Sequence, residues 1–402
     1  MKTGWQTKTL EEACQFSNGL WKGEKPPFVN VGVIRNTNFT KDGTLDDSDI
    51  AILDVEVKKF EKRRLQFGDI ILEKSGGGPK QPVGRVALFD KDEGDFSFSN
   101  FTAALRVLDP EELDFRFLHK FLHWTYVSGV TQGIQSNSTG IRNLDGNAYK
   151  AIEITYPPLS EQQRIVGLLN EAFKGIATAK ANAEKNLQNA RALFVSHLQS
   201  VFTQCGPGWV ETTIGEACVL KSGTTVSPML EKPIGDVPYL KVADMTFVGN
   251  ADKITTSSRF LCDEDVRESS IIPKGSTIFP KRGGAILTNK KRITSVSICA
   301  DLNIMAVIPS SQIDSELLYL YFINVDMRKL GTGSTIPQIN NYDVAPLLIS
   351  FPAAISEQRK IVAELGELRK ETQRLARLYE RKLAALEALK KSLLHQAFSG
   401  EL

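Results

Sequence analysis

The sequence predicts an α+β protein built twice: two globular domains of mixed α/β character, separated by two long helices pairing as an antiparallel coiled coil, with an internal pseudo-two-fold repeat. Three observations predict it. A helix-start phrase occurs twice, PPLSEQQRIVGLL at 157–169 and PAAISEQRKIVAEL at 352–365. The domain openings repeat as well, GWQTKTLEEAC at 4–14 and GWVETTIGEAC at 208–218. Each helix-start phrase then runs without Pro to Phe202 or to Phe398.

Aligning Ser160 with Ser356 sets an offset of 196 residues, which also matches Ile165 with Ile361, Val166 with Val362, Leu187 with Leu383 and Phe202 with Phe398. The order of parts is kept, so a unit near 200 residues is duplicated, far longer than a solenoid period. Four segments follow: a globular domain at 1–158, a helix at 159–204, a second globular domain at 205–354 and a second helix at 355–402. Inside the first domain, the runs beginning at Asp69 and Val83 are β-rich between Gly-rich turns. The run from Phe67 to Lys74 is echoed from Pro273 to Lys281. A helix is predicted near 111–127 and its counterpart near 314–328. The loops of the two domains diverge, while the long helices stay alike.

Ser160 with Gln163, and Ser356 with the first-turn Glu357, predict N-capped helix starts. The second helix places Ile361, Leu365, Leu368, Thr372, Leu375, Tyr379, Lys382, Leu386, Leu389 and Leu393 at alternating spacings of four and three, a heptad seam broken by Thr372 and Lys382. The same register in the first helix gives Ile165, Leu169, Ala172, Ile176, Ala179, Ala183, Asn186, Ala190, Leu193 and His197, with Leu187 matched to Leu383 by the repeat. One seam is bulky and the other Ala-rich, so each can fill the other's space. About 40 residues at ~1.5 Å rise make a helix of roughly 60 Å that cannot bury its seam alone. A homo-oligomeric coiled coil is one solution. The repeat favours the other, in which the two helices pair with each other around an internal two-fold axis.

The chain has 402 residues, 42% of them apolar, and a net charge of +2. That balance neither requires nor excludes a nucleic-acid partner, because a binding face is local. The five Cys have no CxxC pair, which points to a reducing cytosol. No signal peptide and no run of ~20 apolar residues stand out, so a cytoplasmic location and no membrane association are expected.

Catalytic signatures are sparse. There is no GxxxxGK[ST] loop and no HExxH. His119 and His123 share a helix face at i,i+4, but no third metal ligand accompanies them, and an ordinary helix face is the simpler reading. Asp54, Glu56 and Lys58 loosely resemble a nuclease set without a counterpart in the second half. Lys25-Pro26-Pro27-Phe28 comes near the Asn-Pro-Pro-aromatic motif of amino-methylating DNA methyltransferases, yet Lys cannot replace its Asn. Neither a catalytic site nor a metal site is expected.

Features suited to binding are present in both halves. Lys74, Ser75, Lys80 and Arg85 flank a Gly-rich turn in the first; Lys281 and Arg282, then Lys290, Lys291 and Arg292, do so in the second. Such turns let a backbone approach phosphates while cations neutralise them. A polar loop precedes each long helix: Asn137, Ser138, Thr139, Arg142 and Asn143 in the first half, and Ser334, Thr335, Gln338 and Asn340 in the second. Asn, Gln and Arg can make bidentate contacts to base edges. Ordinary solvated turns that position the helices would look similar.

The layout resembles the specificity subunit of Type I restriction–modification systems. The resemblance rests on the twice-used P-x-[L/I]-S-E-Q-x-x-I-V helix start, at Pro157–Val166 and Pro352–Val362, the second with one extra residue. The Gly-Trp openings, the GDIILEK and GSTIFPK strands and the LLHQAFSGEL ending at 393–402 support it, and it spans essentially the whole chain. It implies a DNA-binding, non-catalytic subunit. Each globular domain would be a target recognition domain reading one half of an asymmetric bipartite target on double-stranded DNA. The helices would set the spacer and dock two DNA adenine methyltransferase subunits. No cofactor is implied on this chain: S-adenosylmethionine, ATP and Mg would reside on the methyltransferase and restriction subunits. The alternatives are a coiled-coil scaffold that binds only proteins, and an enzyme built on His119 and His123.

Overall fold

The computed structural model describes residues 4–20, 23–78, 81–138, 140–331 and 337–402, with the side chain of Ser138 left aside. The chain divides into two compact units, 1–183 with 381–402, and 184–380. The continuous helices Leu159–Thr203 and Ile355–Ser399 each contribute to both.

In the first unit, strand Gln6–Thr9 pairs antiparallel with Glu153–Tyr156, immediately before the first long helix. Thr9 and Glu12 form a reciprocal capping box on the one-turn helix Leu10–Ala13, satisfying two backbone N–H groups. A four-stranded antiparallel sheet follows in the order Cys14–Asn18, Thr102–Val107, Ile70–Glu73, Val86–Leu88. A second sheet orders Ala51–Glu56, Phe28–Ile34 and Phe96–Phe98, its last pair parallel. The helix Phe115–Val127, N-capped by Asp114, lies in one core with Ile70, Leu72 and Leu105. Ile165, Val166 and Leu169 of the first long helix and Leu394 and Ala397 of the second complete that core. The Phe398 ring packs 5.3 Å from Phe117 and 5.7 Å from Trp124.

The second unit repeats the plan. Trp209–Thr213 pairs with Leu348–Pro352, and Thr213 with Glu216 forms the matching capping box. Its main sheet runs Cys218–Ser222, Ile304–Pro309, Thr277–Pro280, Arg292–Thr294, extended by Lys253–Ile254. Phe260–Leu261, Val237–Leu240 and Cys299–Ala300 make the smaller sheet, again with its last pair parallel. The helix Ser315–Asn324, capped by Asp314, shares a core with Phe279 and Val307, against which Phe202, Ile361 and Val362 of the long helices pack. The two echoed strand phrases occupy the same third place in their sheets.

The duplicated phrase acts through its Gln, not its Ser. Gln162 and Gln358 are fully buried. The Gln162 side-chain oxygen accepts from the backbone of Asp114 at 2.9 Å, and its amide donates to the carbonyls of Glu112 and Pro157, both at 2.8 Å. Gln358 does the same with Asp314, Gln312 and Pro352 at 2.7, 2.8 and 2.8 Å. Each Gln ties together the end of a strand, the cap of the domain helix and the start of the long helix. The expected Ser caps are not used. Glu161 and Gln162 donate backbone bonds to Pro158, and Glu357 and Gln358 to Ala354, so both Ser residues sit inside the first turn.

The helices pair antiparallel within each unit. In the first, Lys180 meets Glu387 at 2.6 Å while Leu169 and Leu394 share a core. In the second, Arg191 meets Glu380 at 2.7 Å, and Leu198 clusters with Leu365. Of the seam residues, Ile165, Leu169 and Leu365 are buried, and Ile176, Leu187, Ile361, Leu368, Leu375, Tyr379, Leu386 and Leu393 are half-buried. Two of the seam leucines depart from the expectation: Leu193 is 51% and Leu389 47% exposed. Phe194, Leu198 and Lys390 turn inward instead. A straight helix repeats every 3.6 residues, so a strict 3.5 register drifts off the packed face. A cation on the second helix stands over a ring on the first in both units, Lys390 over Phe173 at 5.1 Å and Arg369 over Phe194 at 6.0 Å. Each cation also pairs with a domain carboxylate, Asp42 or Asp252.

Candidate nucleic-acid interface

Two loops that look separate in the sequence are joined in each unit. In the first, strand Ser75–Gly77 pairs with Ile141–Leu144, which pairs with Gln135–Ser138. The Leu144 N–H donates to the Lys74 carbonyl at 2.8 Å, and Ser75 lies opposite Asn143. The Ser75 hydroxyl donates to the Asn143 side-chain oxygen at 2.6 Å. Gly77 is required by crowding: a Cβ there would fall 2.5 Å from the Gln81 carbonyl oxygen. In the second unit the Ile339 N–H donates to the Lys281 carbonyl, again at 2.8 Å, and Arg282 bridges Gln338. The Gly283 N–H closes the crossing on the Pro337 carbonyl at 2.8 Å.

The lysines that lead into the crossings are fixed alike. The Lys74 ammonium donates to Asn18, the last residue of Cys14–Asn18, at 2.9 Å. Lys281 donates to Ser222, the last residue of Cys218–Ser222, at 2.7 Å. Burial lowers the pKa of both; for Lys281 the Arg282 charge adds to it.

Arg282 is exposed. Its Nη2 and Nε donate to the Gln338 side-chain oxygen at 3.0 and 3.2 Å. The Gln338 side-chain NH2 donates to the Asn340 side-chain oxygen at 2.6 Å, and the Asn340 NH2 donates to the Tyr342 hydroxyl at 2.8 Å. Tyr342 is 70% exposed. Asn137, also exposed, faces half-buried Arg142 across its hairpin.

Other candidates serve the interior. Arg85 makes a two-pronged ion pair with fully buried Glu73, 2.8 Å on each arm, and donates to the carbonyls of Asn36 and Phe39. Lys291 is buried and bonded to Asn289 at 2.8 Å, and burial pushes its ammonium pKa down to about 8. Arg292 donates to the Asn250 and Lys291 carbonyls at 2.7 Å. These three are braces rather than free phosphate contacts, because their donors are taken by a buried carboxylate, a side-chain amide and backbone carbonyls. Lys290 is half-buried. Ser138 pairs with Ile141 through its backbone. Lys80, Thr139, Ser334 and Thr335 lie outside the described residues.

His119 and His123 are buried, at 3% and 5% exposure, with stacked rings 6.5 Å apart. Burial, aided by the charges of Lys120 and Lys390, pushes their pKa values down to about 3 and about 4. A cationic neighbourhood of this kind disfavours a metal ion. Sequence reasoning missed Gln162, Gln358, Asn18, Ser222 and Tyr342. The two Gln residues had a usable signal, since they occupy the same place in both copies of the repeated phrase.

The family model described as "Type I restriction modification DNA specificity domain" matches residues 2–188 and 207–381. The chain belongs to this family. Its function is DNA sequence recognition in type I restriction–modification. The chain is 24% identical to the Type I restriction enzyme StySPI specificity subunit of Salmonella potsdam, over 99% of this chain and 89% of that protein. It is 25% identical to the EcoKI specificity subunit of Escherichia coli K12, over 95% and 83%. In fold it is similar to a chain from a structure concerned with complex assembly and conformational transition of the type I R-M system. That match has a TM-score of 0.78 at 18% identity and covers 100% of this chain and 99% of that one. The HsdS subunit of Thermoanaerobacter tengcongensis matches with a TM-score of 0.68 at 18% identity, over 100% and 98%. No helix among the described residues is long and apolar enough to cross a membrane.

Proposed function

We propose that this chain is the non-catalytic, sequence-reading subunit of a type I restriction–modification complex in the cytoplasm. Each unit reads one half of an asymmetric, bipartite target on double-stranded DNA. The paired long helices set the spacer between the halves and dock two DNA adenine methyltransferase subunits, which bring S-adenosylmethionine. Restriction subunits add ATP- and Mg-dependent cleavage. One observation supports this reading above the others: a common backbone crossing carries different side chains in the two units, Ser75 with Asn143 and Arg282 with Gln338. Phosphates are the same in every sequence, whereas base edges differ, so a shared frame with divergent polar tips suits two readers of two sequences.

The test is to co-express the chain with its cognate methyltransferase and map methylated adenines across a genome. One gapped, two-part motif that depends on this chain is expected. Methylation without any chain-dependent motif would overturn the proposal and favour a scaffold that binds only proteins.

A further inference from the structure

We propose that Arg282, held by the relay Gln338–Asn340–Tyr342, reads a guanine in the half-site of the second unit. This rests on the DNA-reading function proposed above and assigns one base to one side chain.

A guanidinium has five N–H donors in a rigid plane. Gln338 takes one from Nε and one from Nη2. The outer Nη1–Nη2 edge keeps three N–H donors, and its Nη1 has no hydrogen-bond partner among the described residues. That edge can present two parallel donors to O6 and N7 of guanine in the major groove. Adenine offers N7 but sets an amino donor where O6 would stand, so the same edge discriminates against it.

The relay fixes the direction of every amide. If Gln338 were flipped, its NH2 would face the Arg282 donors and its oxygen would face the Asn340 oxygen. Gln338 therefore holds the guanidinium plane, and Asn340 with Tyr342 holds Gln338. A fork held in one plane suits a base edge or a phosphate alike, so the choice rests on how the two units differ. At the matched crossing in the first unit the pair is Ser75 and Asn143, neither of them a cation, and Arg142 lies one residue along, opposite Gly77. A phosphate contact would serve both units equally, whereas a base contact must differ if the two half-sites differ.

The test uses the full chain in its methyltransferase complex, with methylated adenines mapped for wild type, Arg282→Ala, Arg282→Lys and Gln338→Ala. Arg282→Ala is expected to relax one G·C position in one half of the motif, with roughly a five- to 150-fold loss of discrimination there, and to leave the other half unchanged. Arg282→Lys keeps the charge but loses the fork, so it should relax the same position. Gln338→Ala should weaken that preference less. An unchanged motif with uniformly lower methylation in Arg282→Ala, rescued by Arg282→Lys, would mean a phosphate contact and overturn the inference. That outcome would leave the proposed function standing, because only the absence of a wild-type motif removes it.

Discussion

At the two loop crossings the backbones agree and the side chains do not. Leu144 on Lys74 and Ile339 on Lys281 are the same hydrogen bond, both 2.8 Å. Above it, one unit carries Ser75 and Asn143 and the other Arg282 and Gln338. Behind the crossings the interiors diverge too. The first unit buries the carboxylate of Glu73 under Arg85, whereas the matching strand in the second ends in Pro280. The helix Phe115–Val127 turns His119 and His123 inward, whereas Ser315–Asn324 places Tyr319 and Ile323 at the matched positions. The two units repeat the groups that satisfy backbone hydrogen bonds at the caps and joints, and differ in these interior side chains. The sharpest case is the Gln latch, which is the same in both units to within 0.2 Å.

The latch gives the largest expected effect. Gln162→Ala and Gln358→Ala would each strip one backbone N–H and two carbonyls, buried or part-buried, of their partners. Unsatisfied buried groups cost about 1–3 kcal/mol each, and partial relaxation should leave a net loss of about 3 kcal/mol per variant. Denaturant unfolding of both variants checks this. Losses equal within about 1 kcal/mol are expected from the shared geometry, and a large loss in only one would break the equivalence of the two joints.

Acid should separate the units too, by a smaller amount for each buried group. Free imidazole titrates near 6.5, while His119 and His123 sit near 3 and 4 in the folded chain because of burial, with Lys120 and Lys390 adding repulsion and Asp42 opposing it in part for His123. Between those values the unfolded chain binds protons that the folded chain refuses. Stability is therefore complete above about pH 6.5 and falls as the pH drops toward 4. One such imidazole costs about 2 kcal/mol at pH 5. Hydrogen exchange followed from pH 7.5 to 5 should show protection lost first in 115–127, with 315–324 retained. Equal loss in both helices would mean that the buried imidazoles do not set the acid response.

Some of this was legible in the sequence and some was not, for identifiable reasons. The duplication, the long helices and the third-place strand were readable because backbone-satisfying residues and core periodicity recur in order. The joining of the loops was not, because pairing between 75–77 and 141–144 is long-range and leaves no local pattern. Arg85 and Lys291 looked like surface cations because charge is visible in a sequence and burial is not. Ser160 looked like a cap because Ser before Glu usually is one. Gln162 outranks it here by satisfying three backbone groups from farther away. The strict heptad register fits Ala190, Leu386 and Leu393 but slips at Leu193 and Leu389, which face outward.

That slip yields the smallest and most pointed prediction. A strict 3.5-residue register puts Leu193 and Leu389 on the packed face, where truncation of a buried Leu to Ala would cost about 2–5 kcal/mol. Both are about half exposed instead, while Phe194 and Lys390, one residue on, take the inward places. Leu193→Ala and Leu389→Ala should each change stability by no more than about 0.5 kcal/mol, as surface substitutions do. Ala also favours a helix slightly more than Leu, which offsets part of the lost contact. Denaturant midpoints unchanged in both variants would support a nearly straight 3.6-residue pairing of the helices. A loss above about 2 kcal/mol in either would restore the supercoiled 3.5-residue register and require Phe194 or Lys390 to turn outward.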